Sequence, residues 1–340
     1  MVQLNQKSNK ISGFISVFTA IAGNFFVTVI KFIGFLISGS GVLFSETIHS
    51  LADTLNQILL MVGIKKSVKK RTDEFSYGYG KERFVWALIS ACGIFFIGSV
   101  TTIYRGVTSF LHHEEIYISQ IIFVILAISF IVESFTLYIA LRELRKNNKN
   151  LTLKESLREG DPMTIAVIYE DGTAVLGVII AFISILLFQL TNNFYWDAIG
   201  SIIIGVILGF MAIILITKNR NFLIEKSIPE EIKEEIIKLL EAEPSIEKII
   251  DFKSSILDIG KYRIKCEIEF NGSALMKELT RKNFLREEYK LIKDDYEEFL
   301  KFCVDYMDRV PRLVGNKINE IEKKIQEAVP EIVHIDIEIN

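Results

Sequence analysis

Six long apolar stretches dominate the first two thirds of the chain, over residues 11–37, 41–64, 84–104, 118–141, 163–190 and 196–217. A membrane-spanning helix needs about 20 mainly apolar residues. In lipid a backbone must satisfy its own N–H and C=O groups, so each stretch is predicted to be a transmembrane helix. Residues 226–340 are rich in Lys, Glu and Asp instead. This unevenness reconciles a chain that is 50% apolar, with mean hydropathy +0.34, with its 24% of charged residues. The expected organisation is a membrane domain over 1–225 followed by a soluble domain over 226–340. A net charge of -3 gives no reason to expect a nucleic-acid partner.

Lys and Arg in the short loops set the orientation. The link between the second and third stretches carries Lys65, Lys66, Lys69, Lys70, Arg71, Lys81 and Arg83. The link between the fourth and fifth carries Arg142, Arg145, Lys146, Lys149, Lys154 and Arg158, and Lys218, Arg220 and Lys226 follow the sixth. The opposite links, at 38–41, 112–115 and 190–196, have no Lys or Arg, although Arg105 lies just before the second of them. Both termini are therefore expected to be cytoplasmic, in a multi-pass protein of the cell membrane. Cys92, Cys266 and Cys303 form no CxxC pair and suit a reducing compartment rather than a disulfide framework. The polar N-terminal decapeptide precedes an apolar block too long for a signal-peptide core, so that block is expected to be a mature helix.

The tail reads as α+β. Pro229 opens an amphipathic helical pattern. Two β-rich runs, 246–257 and 261–270, flank Asp258-Ile259-Gly260. A charged segment over about 277–307 has helical spacing, 316–328 reads as a further helix closed by Pro330, and 333–339 alternates as a strand. The expected fold is a ferredoxin-like αββαβ domain with a helical insertion at about 272–308.

Ionisable residues within a bilayer are costly, and they normally face a bundle interior or a wet cavity. The second stretch contains Glu46, His49 and Asp53. Residues i and i+4 stack on one helix face, so His49 and Asp53 are placed to give one metal ion an imidazole nitrogen and a carboxylate oxygen. Glu46, one turn earlier, can act as a further ligand or accept a hydrogen bond from the other ring nitrogen. The alternative is a polar stripe that ties helices together. The fifth stretch opens with Asp161-Pro162, a good helix start, and carries Glu170 and Asp171 deeper in. Adjacent residues diverge by about 100° around a helix, so only one of these two can point squarely at a given metal. Glu133 is buried by its position in the fourth stretch, and Asp197 begins the sixth, where capping explains it as well as function does. Lys31 and Arg105 lie near helix ends and are expected to snorkel toward water. The run at 112–115, HHEE, reads as a solvated loop more readily than as a metal collector.

These features together resemble the cation diffusion facilitator family of divalent-metal transporters. The family's marker on helix two is a His or Asp followed four residues later by Asp, here His49 and Asp53. Its helix-five marker is a similar pair whose last member aligns with Asp171. The stretches FSYGYGKERFVWAL and DPMTIAVIYEDGTAVLGVIIA, with the long tail insertion, narrow the likeness to the branch holding the ninth animal zinc transporter and its bacterial relatives. Three positions depart from the family pattern. Val167 stands where the first helix-five ligand belongs, leaving Glu170, Glu46 or water to complete the set. The 2–3 loop reads Asp73-Glu74-Phe75-Ser76 and lacks its usual His, so a loop metal site is not expected. The tail keeps only His334 and Asp336 of a histidine-rich set, and these read more simply as solvent-facing polar residues.

The resemblance implies a homodimeric secondary transporter, not an enzyme, exporting a divalent cation in exchange for protons without a prosthetic group. Metal ligands must be deprotonated, so binding releases protons and protonation expels metal. An imidazole among carboxylates favours zinc, with iron, cobalt, nickel and manganese as alternatives. A membrane metal sensor or assembly factor without transport is the alternative class. No HExxH motif supports a metallopeptidase.

Overall fold

A computed structural model of the chain describes residues 21, 23–112, 117, 119–147, 162–275 and 284–340. The described residues form two compact units, one from the segments up to Lys70 and Glu82–Arg220, the other from Arg71–Lys81 and Asn221–Asn340. The loop 71–81, counted with the membrane part by sequence, thus packs with the tail.

The first unit is helical. Its elements are α1 (Gly23–Ser38), α2 (Gly41–Ser67), α3 (Glu82–Leu111), α4 (Gln120–Asn147), α5 (Pro162–Thr191) and α6 (Tyr195–Leu223). Among the described residues, four helices are long and apolar enough to cross a membrane: those over Glu82–Leu111, Gln120–Arg142, Val167–Thr191 and Tyr195–Leu223. The described part of α1 is shorter, and α2 is long but diluted by Glu46, His49, Asp53, Asn56 and several hydroxyls. A helix so loaded belongs inside a bundle. Phe25, Leu36, Phe96, Leu190 and Phe210 are exposed, while Val42, Leu43, Ile94, Leu126, Ala181, Ile185, Ile204 and Leu208 form the interior.

Small residues let the helices approach. A Cβ on Gly205 would lie 2.6 Å from Ile103, one on Gly209 2.7 Å from the Ser99 hydroxyl, and one on Gly106 2.7 Å from Ile202. Ser99 Oγ donates to the carbonyl of Gly205 at 2.8 Å. Ser99 closes a six-residue π-helical turn, Ile94–Ser99, within α3, so the third helix is continuous but locally widened.

Asp197 caps a helix, but α2 rather than its own. Its carboxylate accepts from the backbone N–H of Gly41 at 2.7 Å and of Val42 at 3.4 Å, and from the Ser40 hydroxyl. Gly41 is needed for that approach, since a Cβ there would stand 2.8 Å from Ser201 Oγ and 3.0 Å from Asp197. The Arg105 guanidinium lies 5.8 and 5.9 Å from the ring centres of Phe35 and Phe44.

In the second unit α7 (Glu230–Glu241) precedes the hairpin β1 (Ile246–Asp258) and β2 (Lys261–Phe270), turned at Gly260 with φ +64°. Helices α8 (Phe284–Ile292) and α9 (Tyr296–Ala328) follow, then β3 (Ile332–Ile339). The sheet order is β1-β2-β3, with β1 antiparallel and β3 parallel to β2. Ile264, Cys266 and Ile268 of β2 meet Ile236 and Leu240 of α7 and Ile321 and Ile325 of α9, so both helices cover one face. Burial pushes the Cys266 thiol up to about 11, which makes it inert at neutral pH. The two helices expected around 277–307 and 316–328 are partly fused, for α9 runs 33 residues through Pro311 from an N-cap at Asp295.

Candidate metal centre

The polar face of α2 meets α5 inside the bundle, and Lys31 of α1 links it to Glu133 of α4. His49 is buried, and its Nε2 lies 3.4 Å from Asp53 Oδ2, the one-turn pairing expected from i and i+4. From α5 the side chain that reaches α2 is Glu170. Its Oε1 accepts from Asn56 Nδ2 at 2.7 Å, and its carboxyl also meets that of Asp53. Asp171 is half-buried and lies within electrostatic reach of Glu133 and Asp53. Val167 is 45% exposed and adds no ligand atom. Seven residues after Glu170, on the same face of α5, comes Gly177. A Cβ there would stand 2.3 Å from Glu46 Oε1 and 3.5 Å from His49 Nδ1, so glycine opens the wall against which both side chains lie.

Lys31 is the largest departure from expectation. It is 1% exposed, and its ammonium contacts Glu46 Oε2 at 2.7 Å, Glu133 Oε1 at 2.6 Å and Ser50 Oγ at 2.9 Å. Two acidic partners on α2 and α4 hold it in the bundle, which is why its long stem does not reach water. Asn56 and Gly177 were not singled out from the sequence either. Their spacing was the available signal: Asn56 comes seven residues after His49 and Gly177 seven after Glu170, each on the polar face of its helix.

Chemically, the face offers one imidazole, carboxylates from α2 and α5, and apolar surroundings. Facing carboxylates in such a place favour an intervening cation. Among the described residues no three His, Cys, Asp or Glu side chains stand close enough together to hold a metal ion as they are placed. His113, Glu114, Glu115 and Asp161 lie outside the described residues.

The tail pair behaves differently. Asp336 accepts two hydrogen bonds from Arg263, at 2.7 and 3.0 Å. Arg263 in turn lies 4.4 Å from the ring centre of Tyr77, and that ring meets His334 edge-on at 5.1 Å. His334 and Asp336 are thus engaged by a clamp between β2, β3 and the loop 71–81.

A multi-helix membrane unit with an acidic, histidine-bearing interior, joined to a small α+β tail, defines a cation-handling membrane protein. The model of the cation efflux transmembrane domain matches residues 17–224, and the chain belongs to that family, the cation diffusion facilitators. It is similar to metal tolerance protein C4 of Arabidopsis thaliana, 35% identical over 331 residues, covering 95% of this chain and 72% of the plant protein. It is also similar to the human proton-coupled zinc antiporter SLC30A9, mitochondrial, 36% identical over 329 residues and 95% of this chain. The mouse protein of that name is 34% identical over the same length. The chain spans 58% of the length of each of these two animal relatives. These relatives correct one expectation: the animal proteins are named as mitochondrial, so the expected cell-membrane location is not upheld, whereas membrane residence is.

Proposed function

We propose that the protein is a proton-coupled antiporter of a divalent cation, zinc, which leaves the side that carries the tail. One observation carries this reading: the His49 and Asp53 pair on α2 faces the Glu170 carboxyl of α5 in a bundle interior. The names of the relatives, a metal tolerance protein and proton-coupled zinc antiporters, support the substrate and the coupling. In this reading His49, Asp53 and Asp171 bind the ion, with Glu170 taking the place that Val167 leaves empty. Glu46, whose Oε1 has no hydrogen-bond partner as placed, is the acceptor that His49 Nδ1–H would take up as the ligands close on the ion, directing Nε2 at it. Side-chain movement must bring the ligands together, and loss of the ion leaves them free to take up protons.

The proposal includes six membrane crossings, with α1 and α2 as the first two, a ferredoxin-like tail, assembly as a homodimer, and no enzymatic activity or prosthetic group. The test is zinc-driven proton movement in sealed vesicles containing the purified protein and a pH-sensitive dye. Asp53→Ala and His49→Ala are expected to abolish it. Undiminished flux in Asp53→Ala would sink the reading. Comparing Glu170→Gln with Asp171→Asn tells which α5 carboxylate the ion uses.

A further inference from the structure

The proposed ion site leaves a second set of charges unused. Lys31 presents one ammonium to two carboxylates, Glu46 and Glu133, and to the Ser50 hydroxyl, at 2.6 to 2.9 Å. Three acceptors saturate an ammonium's three donors. The carboxylates are not saturated. Glu46 Oε1 and Glu133 Oε2 are buried without a hydrogen-bond partner, as is the nearby-numbered Ser129 Oγ on α4. Two buried carboxyl groups share one ammonium, a costly arrangement if fixing three helices were all that was needed, since apolar packing does that as well.

Carboxylate and hydroxyl oxygens around a central positive charge form the donor set taken by hard divalent cations such as manganese, in contrast to a set containing imidazole. We propose that Lys31 is a tethered cation that fills a second, all-oxygen cation site formed by Glu46, Glu133 and Ser50, and so confines the transported ion to the histidine-bearing site. The two sites share a wall. Glu46 lies one turn before His49, and the Cβ position of Gly177 falls beside both side chains. With the ammonium in place a metal meets His49, and its nitrogen discriminates against hard cations. Without it the neighbouring oxygens compete for the ion on terms that hard cations meet. The selectivity part of this inference rests on the transport reading, whereas the occupancy part does not.

The experiment counts bound ions in the purified full chain by equilibrium dialysis against zinc or manganese, alongside metal uptake in vesicles. Lys31→Gln is expected to bind one more divalent ion per chain than the wild type and to admit manganese. Lys31→Arg is expected to keep the wild-type count, and Lys31→Gln with Glu133→Gln is expected to return to it. A folded Lys31→Gln with the wild-type ion count and the wild-type zinc-over-manganese preference overturns the proposal. If Lys31→Gln aggregates without metal, manganese during purification should recover it, because the ion replaces the ammonium; aggregation unchanged by manganese also counts against the proposal. If wild-type vesicles move no divalent metal while Lys31→Gln still gains an ion, the transport reading falls and the tethered-cation site stands. If the wild type transports and Lys31→Gln gains nothing, the reverse holds.

Discussion

Gly177 shows how one absent side chain shapes the centre. Its Cβ position lies 2.3 Å from Glu46 Oε1, and Glu46 cannot simply swing away because Lys31 grips its other oxygen at 2.7 Å. Gly177→Ala should therefore move Glu46 and the adjacent His49 while leaving the bundle folded. The expected outcome is zinc affinity weakened by roughly 10–100-fold, the usual effect of losing an outer-shell partner, measured by titration calorimetry in detergent. At this scale the sequence was informative only where both members of a pair sat on one helix. His49 and Asp53 were legible because four residues fix their spacing. Lys31 was not, because its partners lie 15 and 102 residues away and belong to other helices. A lysine near a helix end normally snorkels, and only the packing of α1 against acidic faces reverses that rule.

One helix in this protein is held at its end by a residue from elsewhere. Asp197 of α6 caps α2 through two backbone N–H groups and Ser40, which fixes the start of the helix that carries the proposed ion ligands His49 and Asp53. Asp197→Ala should cost about 1–2 kcal/mol, the upper range for a lost cap, seen as a lower unfolding temperature in detergent. In the tail, burial alone would raise the Glu243 carboxyl, but the Lys324 and Lys317 ammonium groups overrule it and hold it below its usual range. The folded tail therefore binds that proton less tightly than the unfolded chain does. The stabilisation is present above the unfolded carboxylate value of about 4.3 and is lost as pH falls through the lower, folded value. Glu243→Gln should lower the tail's unfolding temperature at neutral pH and make little difference near pH 3, by circular dichroism melts of the full chain; an equal loss at both pH values would contradict this. The Asp258-Ile259-Gly260 hairpin was legible from turn chemistry. The length of α9 was not, since a proline inside a helix ordinarily breaks it, whereas here the helix continues through Pro311.

For the molecule as a whole, a ligand that binds only the folded state stabilises it by mass action. Zinc at 100 times its dissociation constant should add about 2.7 kcal/mol, and a chelator should remove it, as read in thermal unfolding with and without metal. The same titration on Asp53→Ala should show no such rise. The order of helices and the change to an α+β tail were readable from apolar block length and charge placement. The membrane address was not, for a physical reason. The bias of Lys and Arg records which side of a bilayer a loop stays on, and it carries no information about which bilayer that is.

The widened turn at Ile94–Ser99 fixes how α3 can change over generations. An extra residue in a helix amounts to about 100° of rotation for everything after it. Deleting any one residue from 94–99 would restore an ordinary helix and turn Thr102 and Gly106 off the α6 surface, where a Cβ on Gly106 already has only 2.7 Å to Ile202. Such a deletion should give protein that aggregates on size-exclusion chromatography, whereas a conservative substitution at Phe96, which is 66% exposed, should not. Exposed Phe96 and Ile97 can thus be exchanged, whereas Ile94 and Ser99 are tied into the bundle and the number of residues in the turn cannot change.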